Sequence, residues 1–401
     1  MAKSGSDEGH DGITAPLWES PSRVRLSGSR AVAGKEDKRA ARGQYNEVRP
    51  SVANAESCRR RRQAWAMPGF ARQGPPPARN ARSGSGEDRD HVVTTNGWCG
   101  NLIAAGRLQP GESVLVVVDG PLREEGAQLV ATAADAGGRP QLEPWNGAAP
   151  PVEAGRQADL LFLLLEEPKS IEVEARFRLL EAVTDHGGRA LGLLFVDGPL
   201  LRGELSQPQP NLTAAADRLL AALDRAETVH VRGAAGTDLA LEVGGRRWHT
   251  DARPLEAGGL ANFPGGEVFV APHSDGADGV LVADLTVPYT VPGLVDEPVT
   301  LHFERGRVTS VEGGKAAALL RELVESAGRG ADVIAELGIG FNPTVRPRGH
   351  VMLDEKAAGT AHIAIGRNSG PYGGDNDAQI HVDCVFSVPE ITADGHAVQL
   401  P

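Results

Sequence analysis

Two residues near the C-terminus, His381 and Asp383, have the types and the spacing of metal ligands. In a β-strand, residues i and i+2 point to the same face, so an imidazole and a carboxylate at this spacing can bind one ion together. Their neighbours are mostly β-formers or small apolar residues, which predicts a strand. A second apolar run, residues 361–366, contains His362, and the glycine-rich loop 371–377 can turn between the two runs. The pattern predicts a metal site, with hydrogen-bonded core histidines as the alternative.

Two glutamates stand in sequences where a carboxylate needs a partner. Glu267 follows a Pro-Gly-Gly turn at the start of a predicted strand, and Glu336 lies in the apolar, glycine-rich sequence AELGIGFNP. Burying an unpaired carboxylate is costly, so each is salt-bridged, exposed or a metal ligand. With His362, His381 and Asp383 they form an ordered set of three carboxylates and two imidazoles. Such a set can hold two divalent ions with one bridging carboxylate, which is an apparatus for hydrolysis by an activated water.

The elements that must position these residues follow two patterns along the chain. Between residues 98 and 226, apolar strands alternate with amphipathic helices, which predicts an open sheet that is largely parallel. The predicted strands there are 113–119, 159–165 and 190–196, and the predicted helices are 98–108, 124–136, 171–186 and 211–226. After residue 228 the pattern changes to short strands separated by Gly, Pro and Asp turns, with one helix at 314–326. The strands predicted there, before the two metal-site runs, are 229–231, 238–243, 267–271, 279–284, 299–304 and 307–311.

The predicted fold class is therefore α/β, in two domains behind a tail. Residues 91–227 are expected to form the open α/β domain and residues 228–401 a β-rich α+β domain that binds metal. Residues 1–90 are dense in Gly, Ser, Pro, Arg and Ala without hydrophobic periodicity, which predicts a disordered tail. A nucleotide site is not predicted, because the chain has no GxxxxGK[ST] loop and the turn after the first strand lacks GxGxxG.

Charge and composition narrow the classes of partner. Residues 1–90 carry 17 Lys and Arg against 11 Asp and Glu, whereas the rest of the chain carries 24 against 42. An acidic body argues against nucleic acid as the main partner. No membrane is expected either, since the chain has no run of eighteen apolar residues and no secretory signal. The three cysteines, Cys58, Cys99 and Cys384, show no paired spacing, which favours a reducing compartment and the cytoplasm.

Four segments carry a resemblance to a known family. NFPGGEVFVAP, AELGIGFNP, DEKAAGTAHIAIG and IHVDCVF, in this order, resemble the thermophilic aminopeptidase T group, peptidase family M29, over about residues 98–401. The resemblance implies an α/β domain followed by a metal domain, a homodimer, and removal of N-terminal amino acids from peptides or small aminoacyl substrates. It implies a cofactor of two divalent metal ions (Zn, Co, Mn or Mg). The implied ligands are Glu267, Glu336, His362, His381 and Asp383, with Glu336 also in the catalytic set.

The sequence departs from the better-studied members in the interval between His362 and His381, which is short here. Those members have a Tyr soon after the His, and Tyr372 is the candidate for the same role. Glu355 and Lys356 precede His362 and are candidates for a general base or a carboxylate anchor. The fold group also includes mononuclear Fe(II) ring-cleaving enzymes that resemble 2,5-dihydroxypyridine dioxygenase. An iron oxygenase is therefore the alternative function, and a non-catalytic metal-binding protein is a third hypothesis.

Other polar residues near these motifs have weaker patterns. His273, shortly after the Glu267 motif, is a candidate for the substrate pocket, and His350 is interpreted as a loop residue. Residues 375–377, Asp-Asn-Asp, are either turn formers or groups that orient the imidazoles.

Overall fold

The structure, a computed structural model, describes residues 97–387 and 390–401. The tail predicted at residues 1–90 lies outside these described residues. Within them, no helix combines the length and the apolar character that a bilayer crossing requires.

The first half of the described chain alternates strands and helices, as its hydrophobic pattern predicts. Its elements are, in order, α1 (Trp98–Ala105), β1 (Ser113–Val118), α2 (Arg123–Asp135), β2 (Arg139–Pro144), α3 (Val152–Gly155), β3 (Leu160–Leu165), α4 (Val173–Thr184), β4 (Arg189–Leu194), α5 (Gly198–Arg202) and α6 (Thr213–Leu223). Short 3₁₀ turns lie at Gly120–Leu122, Ser170–Glu172 and Glu204–Ser206. The side chain of Asn211, two residues before α6, accepts a hydrogen bond from the Thr213 backbone N–H.

The second half is rich in strands. Its elements are β5 (Thr228–Arg232), β6 (Asp238–Glu242), β7 (His249–Thr250), β8 (Leu260–Asn262), β9 (Glu267–Val270), β10 (Ala277–Ala283), β11 (Val299–Glu304), β12 (Arg307–Glu312), α7 (Lys315–Ala327), β13 (Ile334–Gly340), α8 (Val351–Asp354), β14 (Thr360–Gly366), β15 (His381–Ser387), β16 (Glu390–Ala393) and β17 (His396–Ala397). A 3₁₀ turn, Gly370–Tyr372, lies in the connection between β14 and β15.

The parallel sheet has the order β2-β1-β3-β4-β8. Its central strands β1 and β3 are buried on both faces, because helices cover the sheet on each side and their sequences are continuously apolar. The edge strand β2, of sequence RPQLEP, was not predicted, since its polar residues give no apolar run. Strand β8 joins this sheet from beyond residue 228, pairing parallel with β4. The domain boundary near residue 228 therefore stays a prediction.

Two antiparallel sheets make up the rest. One has seven strands in the order β12-β11-β10-β6-β5-β16-β17, and the other has five in the order β15-β14-β13-β9-β7. The two sheets share one hydrophobic core, to which α6 and α7 also contribute. The predicted mixed α/β class, with a parallel sheet and a β-rich second half, is confirmed.

Candidate metal centre

Strands β13, β14 and β15 have one apolar face and one chemical face. Residues of the first face pack into the shared core: Leu337, Ile339, Ile363, Ile365, Val382 and Cys384. The opposite face carries the predicted ligands Glu336, His362, His381 and Asp383. This alternation follows from the two-residue period of a strand, and it explains why the hydrophobic pattern and the ligand spacing coincide in the sequence.

A β-bulge in β13 places Glu336 on the chemical face. Ile334 pairs with Ile365 and Glu336 pairs with Ala364, so one extra residue, Ala335, stands between two consecutive pairs. Ile334 lies in the core although it is only two residues from Glu336. Because of the extra residue, the side chains of Ile334 and Glu336 point to opposite faces of the sheet. Bulges commonly redirect side chains in this way beside functional sites.

The antiparallel register places each ligand opposite a small residue on the next strand. The pairs across the sheet are Glu267 with Gly340, His362 with Gly338, Glu336 and Asp383 with Ala364, and His381 with Gly366. At Gly338 an added Cβ would lie 2.0 Å from Cε1 of His362, so a larger residue there would displace the imidazole. At Gly340 and Gly366 an added Cβ would instead meet backbone oxygens, of Ala357 and Glu355 in the first case and of Ile380 in the second.

The ligand atoms form two groups that share one carboxylate. Glu267, Glu336 and His362 make the first group, and Glu336, His381 and Asp383 make the second. Within each group the ligand atoms lie within 4.8 Å of one another. This is the arrangement that two neighbouring ions with a bridging carboxylate require.

Both imidazoles present Nε2 to the carboxylates. His362 Nε2 lies 3.3 Å from Glu336 Oε1, and His381 Nε2 lies 3.0 Å from Asp383 Oδ1 and 3.5 Å from Glu336 Oε2. His381 Nδ1 lies 2.7 Å from the backbone carbonyl oxygen of Arg367. A hydrogen bond to that carbonyl puts the proton on Nδ1 and leaves Nε2 free to bind an ion.

Several buried polar atoms of the cluster lack a hydrogen-bond partner in the described part of the chain. They are Glu267 Oε2, Glu336 Oε2 and His362 Nδ1. Buried polar atoms are nearly always satisfied, so carboxylate oxygens left without donors indicate a site that is built for a cation. The donor set of carboxylate oxygens and imidazole nitrogens suits divalent metal ions.

A buried lysine holds one side of the cluster. Lys356 is 0 % exposed, and its Nζ pairs with Glu267 Oε1, with Glu355 Oε1 at 3.0 Å and with Asp251 Oδ2 at 3.1 Å. Asp251 also accepts hydrogen bonds from the backbone N–H groups of Gly266 and Glu267. Lys356 thus occupies one oxygen of Glu267 and leaves Oε2 directed at His362, 3.7 Å from its Nε2. This contact fits the carboxylate anchor that the sequence predicted as one role for Lys356.

Glu355 lies beside the ligands as well as beside Lys356. One of its oxygens lies within 4.8 Å of ligand atoms of both His362 and Asp383. Burial raises the pKa of Glu355, an effect that the Lys356 charge opposes without cancelling. Because a general base must lie near the reacting atoms, Glu355 remains a candidate for that role.

The cluster retains protons on its imidazoles when it holds no ion. Burial lowers the pKa of His362, but the Glu336 hydrogen bond and the nearby carboxylates outweigh this effect and raise the pKa to about 10. Burial likewise lowers the pKa of His381, but Asp383, Glu336 and the Arg367 carbonyl together outweigh it and raise the pKa to about 9. Burial raises the pKa of Asp383, but the charges of His381, His362 and Lys356, with the His381 hydrogen bond, together outweigh it and lower the pKa to about 2. In the metal-free protein, two imidazolium groups therefore supply positive charge among the carboxylates.

Tyr372 belongs to a chain of aromatic contacts beside the second ligand group. Its ring stacks on His381 at 4.7 Å between centroids, and it contacts Phe269 at 6.1 Å and Phe177 at 5.9 Å. His249 stacks on Phe269 from β7. Burial raises the pKa of the Tyr372 phenol, and the charge of Glu336 adds to this effect, so the hydroxyl stays protonated and can donate a hydrogen bond.

The sequence analysis did not include His249 or Asp251. A signal for them existed, because WHTD repeats the His-x-Asp spacing of His381 and Asp383. In this second pair the two side chains have different tasks: His249 packs on an aromatic ring, and Asp251 binds Lys356.

The remaining candidates lie away from the ligands or make hydrogen bonds within the loops. His273 Nε2 contacts the Gly244 carbonyl oxygen, and His350 Nδ1 lies 3.3 Å from the Phe195 carbonyl oxygen. In the segment 375–377, Asp375 accepts from Ser274, and Asn376 donates to two backbone carbonyls. The hydrogen-bond partner of His381 Nδ1 is the backbone carbonyl of Arg367 and not a residue of this segment.

Comparison with known proteins finds a family model that matches the part of the chain containing this cluster. Residues 210–400, which contain all five ligand candidates, match the model of the thermophilic metalloproteases (M29). This part of the chain is similar to the M29 family. The M29 region begins within the loop before α6 and extends nearly to the C-terminus.

Curated relatives match over a similar length. Aminopeptidase T of Thermus thermophilus is 32% identical over 197 residues, which is 43% of this chain and 45% of the relative. Aminopeptidase AmpS of Bacillus subtilis is 28% identical over 184 residues, covering 40% and 44%. The 2,5-dihydroxypyridine 5,6-dioxygenase of Pseudomonas putida is 29% identical over 201 residues, covering 46% and 56%. The chain thus spans about half the length of the curated relatives it matches.

Solved structures share the fold over more of the chain. The 2,5-dihydroxypyridine dioxygenase of Pseudomonas putida KT2440 has a TM-score of 0.61 at 21% identity, covering 76% of this chain and 94% of that one. Wild-type AmpT of Thermus thermophilus has a TM-score of 0.52 at 20% identity, covering 75% and 98%. At these identities the likeness establishes the fold, which a dioxygenase and a peptidase share.

The close approach of His362 to Gly338 yields a first prediction. Gly338→Ala should lower the free energy of unfolding by about 1–3 kcal/mol and reduce bound metal, because the added Cβ displaces the imidazole. Gly120→Ala is the matched control, since nothing lies within 4 Å of a Cβ there. Denaturant unfolding and metal analysis of both variants test this. A Gly338→Ala protein as stable and as metal-rich as the control would contradict it.

The charges around Lys356 yield a second prediction. Lys356→Met leaves three buried carboxylates without their cation, so the metal-free protein should lose about 3–5 kcal/mol of stability. Lys315→Met, at an exposed lysine, should change stability by less than about 0.5 kcal/mol. Denaturant unfolding of the metal-free variants measures the difference. Equal stability of the two variants would show that Lys356 does not hold the cluster together.

The imidazole pKa values yield a third prediction. Both folded-state values lie above the ordinary 6.5, so their stabilisation is fully present below about pH 6.5 and is lost as the pH rises through about 9 and about 10. Thermal unfolding of the metal-free protein should therefore occur at lower temperature as the pH rises across this range. His381→Gln should show a smaller decrease than the unchanged protein. An equal decrease in both would exclude His381 as a contributor.

Proposed function

We propose that the chain is a metal-dependent aminopeptidase that removes N-terminal amino acids from peptides or small aminoacyl substrates. The observation that carries the proposal is the pair of ligand groups sharing Glu336, with three carboxylates and two imidazoles in all. The M29 match and the aminopeptidase relatives support the same activity. Divalent ions held by Glu267, Glu336, His362, His381 and Asp383 would polarise the scissile carbonyl and lower the pKa of the attacking water.

The chain's own residues have separable tasks in this reaction. Glu336 lies between the two ligand groups and fixes their spacing. Glu355 accepts the proton of the attacking water, because its oxygen lies beside both His362 and Asp383. Tyr372, protonated and stacked on His381, donates a hydrogen bond to the oxygen that becomes negative during attack.

The setting of the enzyme is also part of the proposal. The M29 resemblance supports a homodimer, and the cysteine pattern supports a cytoplasmic location. The acidic body and the donor set support a peptide substrate over a nucleic acid.

A second candidate is a mononuclear Fe(II) ring-cleaving dioxygenase. The observation that favours it is the structural likeness to 2,5-dihydroxypyridine dioxygenase, with a TM-score of 0.61. Such sites commonly use two His and one carboxylate and leave positions open for O₂ and substrate. The two additional carboxylates, Glu267 and Glu336, support the two-ion peptidase instead.

Replacement of the shared carboxylate separates these functions. Glu336→Ala should lower bound metal from about two ions to about one and should reduce hydrolysis of a leucine or alanine anilide by orders of magnitude. Glu304→Ala, at an exposed carboxylate, is the matched control. In the unchanged protein, stripped of metal, activity should return with Co, Mn or Zn without oxygen, because hydrolysis consumes none.

Other outcomes would assign another function. A protein that holds one iron, ignores aminoacyl anilides and consumes O₂ with a dihydroxylated ring is a dioxygenase. A protein that binds metal without either activity supports a non-catalytic role.

A further inference from the structure

Four partly exposed rings adjoin the ligands of the metal centre, and together they form what we call the aromatic wall. In order of contact they are Phe177 on α4, Tyr372 in the loop between β14 and β15, Phe269 on β9 and His249 on β7. Successive ring centroids lie 5.9, 6.1 and 5.3 Å apart, and the ring of Tyr372 also stacks on the ligand His381 at 4.7 Å. The proposed hydrolysis uses only the hydroxyl of Tyr372 and gives no task to the apolar surface of the four rings.

The sheet register places two of these rings on the chemical face of the five-stranded sheet. The residues on either side of Phe269 lie in the core, so its ring is on the same face as Glu267, two positions earlier. His249 pairs with Phe269 across the sheet. Phe269 pairs in turn with Gly338, which pairs with the ligand His362. Because facing residues of neighbouring strands share a face, the two rings and the imidazole lie in one row, and Gly338 adds no side chain between them.

The metal centre is more open to solvent at its second ligand group, where the aromatic wall begins. The three ligand side chains of the first group are 1 %, 4 % and 5 % exposed. In the second group, the side chain of Asp383 is 18 % exposed and that of His381 is 8 % exposed. Tyr372 stacks on His381 in this more open group. The more accessible approach to the ligands therefore lies beside Tyr372 and the rings in contact with it.

At each end of the aromatic wall the ionisable group is neutral or paired. Burial, with a smaller effect from Arg247, lowers the pKa of His249, so its ring is neutral at pH 7. At the other end, the guanidinium of Arg367 lies 5.9 Å from the ring centroid of Phe177 and is paired with Asp377 at 2.8 Å. Ring surface with its neighbouring charges satisfied in this way favours an apolar group over a charged one.

We propose that the aromatic wall is the subsite for the side chain of the N-terminal residue of the substrate, and that it selects aromatic and large aliphatic side chains such as Phe and Leu. The inference rests on the proposed aminopeptidase function and deepens it by naming the substrate class. The N-terminal side chain starts at the Cα bonded to the scissile carbonyl, whereas that of the next residue starts one bond farther away. A wall in contact with a metal ligand is therefore reached first by the N-terminal side chain.

The kinetic test compares Phe-Gly, Ala-Gly and Ala-Phe as substrates. The unchanged enzyme should prefer Phe-Gly over Ala-Gly by about tenfold or more in kcat/KM, because the larger side chain buries more apolar surface. Phe177→Ala should lower this ratio by about threefold or more, and Phe177→Leu should restore part of it. Arg178→Ala, at the exposed neighbour on α4, should leave the ratio unchanged. Preference for Ala-Phe over Phe-Gly would assign the wall to the residue after the scissile bond and overturn the inference.

Binding of free amino acids gives a second readout that does not depend on turnover. Titration calorimetry of the metal-loaded protein should show tighter binding of L-phenylalanine than of L-alanine, with a more negative heat-capacity change for L-phenylalanine. Phe177→Ala should reduce both differences. Phe269→Leu protects the test against a folding defect at position 177, because it keeps an apolar side chain in β9 and removes only the ring, and it should reduce the same differences.

The two proposals fail in different ways. If the enzyme hydrolyses Phe-Gly and Ala-Gly equally well, the subsite is wrong and the aminopeptidase function stands. If it hydrolyses no dipeptide and no aminoacyl anilide, the proposed function is wrong and calorimetry decides the subsite alone. Tighter binding of L-phenylalanine that Phe177→Ala removes would then support the wall as an apolar subsite, and equal binding of the two amino acids would overturn it.

Discussion

Lys356 pairs with three carboxylates in a part of the protein that water does not reach. Asp251, Glu267 and Glu355 come from separate positions in the sequence, and each would be costly to bury alone. The lysine draws them together and, with the backbone bonds of Asp251, fixes the turn that begins β9. The position of Glu267 at the metal centre, and of Glu355 beside it, depends on this one cation.

The five-stranded sheet joins this network to the hydrophobic core. Its inner face contributes to the core shared with the seven-stranded sheet, and its outer face carries the ligands. Core residues and ligands alternate along the same strands. A strand therefore cannot shift to improve the metal site without disturbing the core. The bulge at Ala335 is the local exception, which lets Glu336 and Ile334 point in opposite directions.

Much of the site could be predicted because strand periodicity is local. His381 and Asp383 share a face at a spacing of two, and the apolar residues between and around them identify the strand. Residues whose roles depend on the tertiary fold could not be found in this way. The pairing of Asp251 with Lys356, for example, spans more than one hundred residues. Strands β2 and β8 were missed because one is polar and the other has only three residues.

The pairing between β14 and β15 sets the positions of the ligands independently of the loop that connects the two strands. Seven residue pairs, from Thr360 with Ser387 to Gly366 with His381, fix the register on their own. The connecting loop, which carries Tyr372, can therefore change in length and sequence while His362, His381 and Asp383 stay in place. A change confined to this loop therefore alters what surrounds the metal centre and leaves the register of the ligands intact.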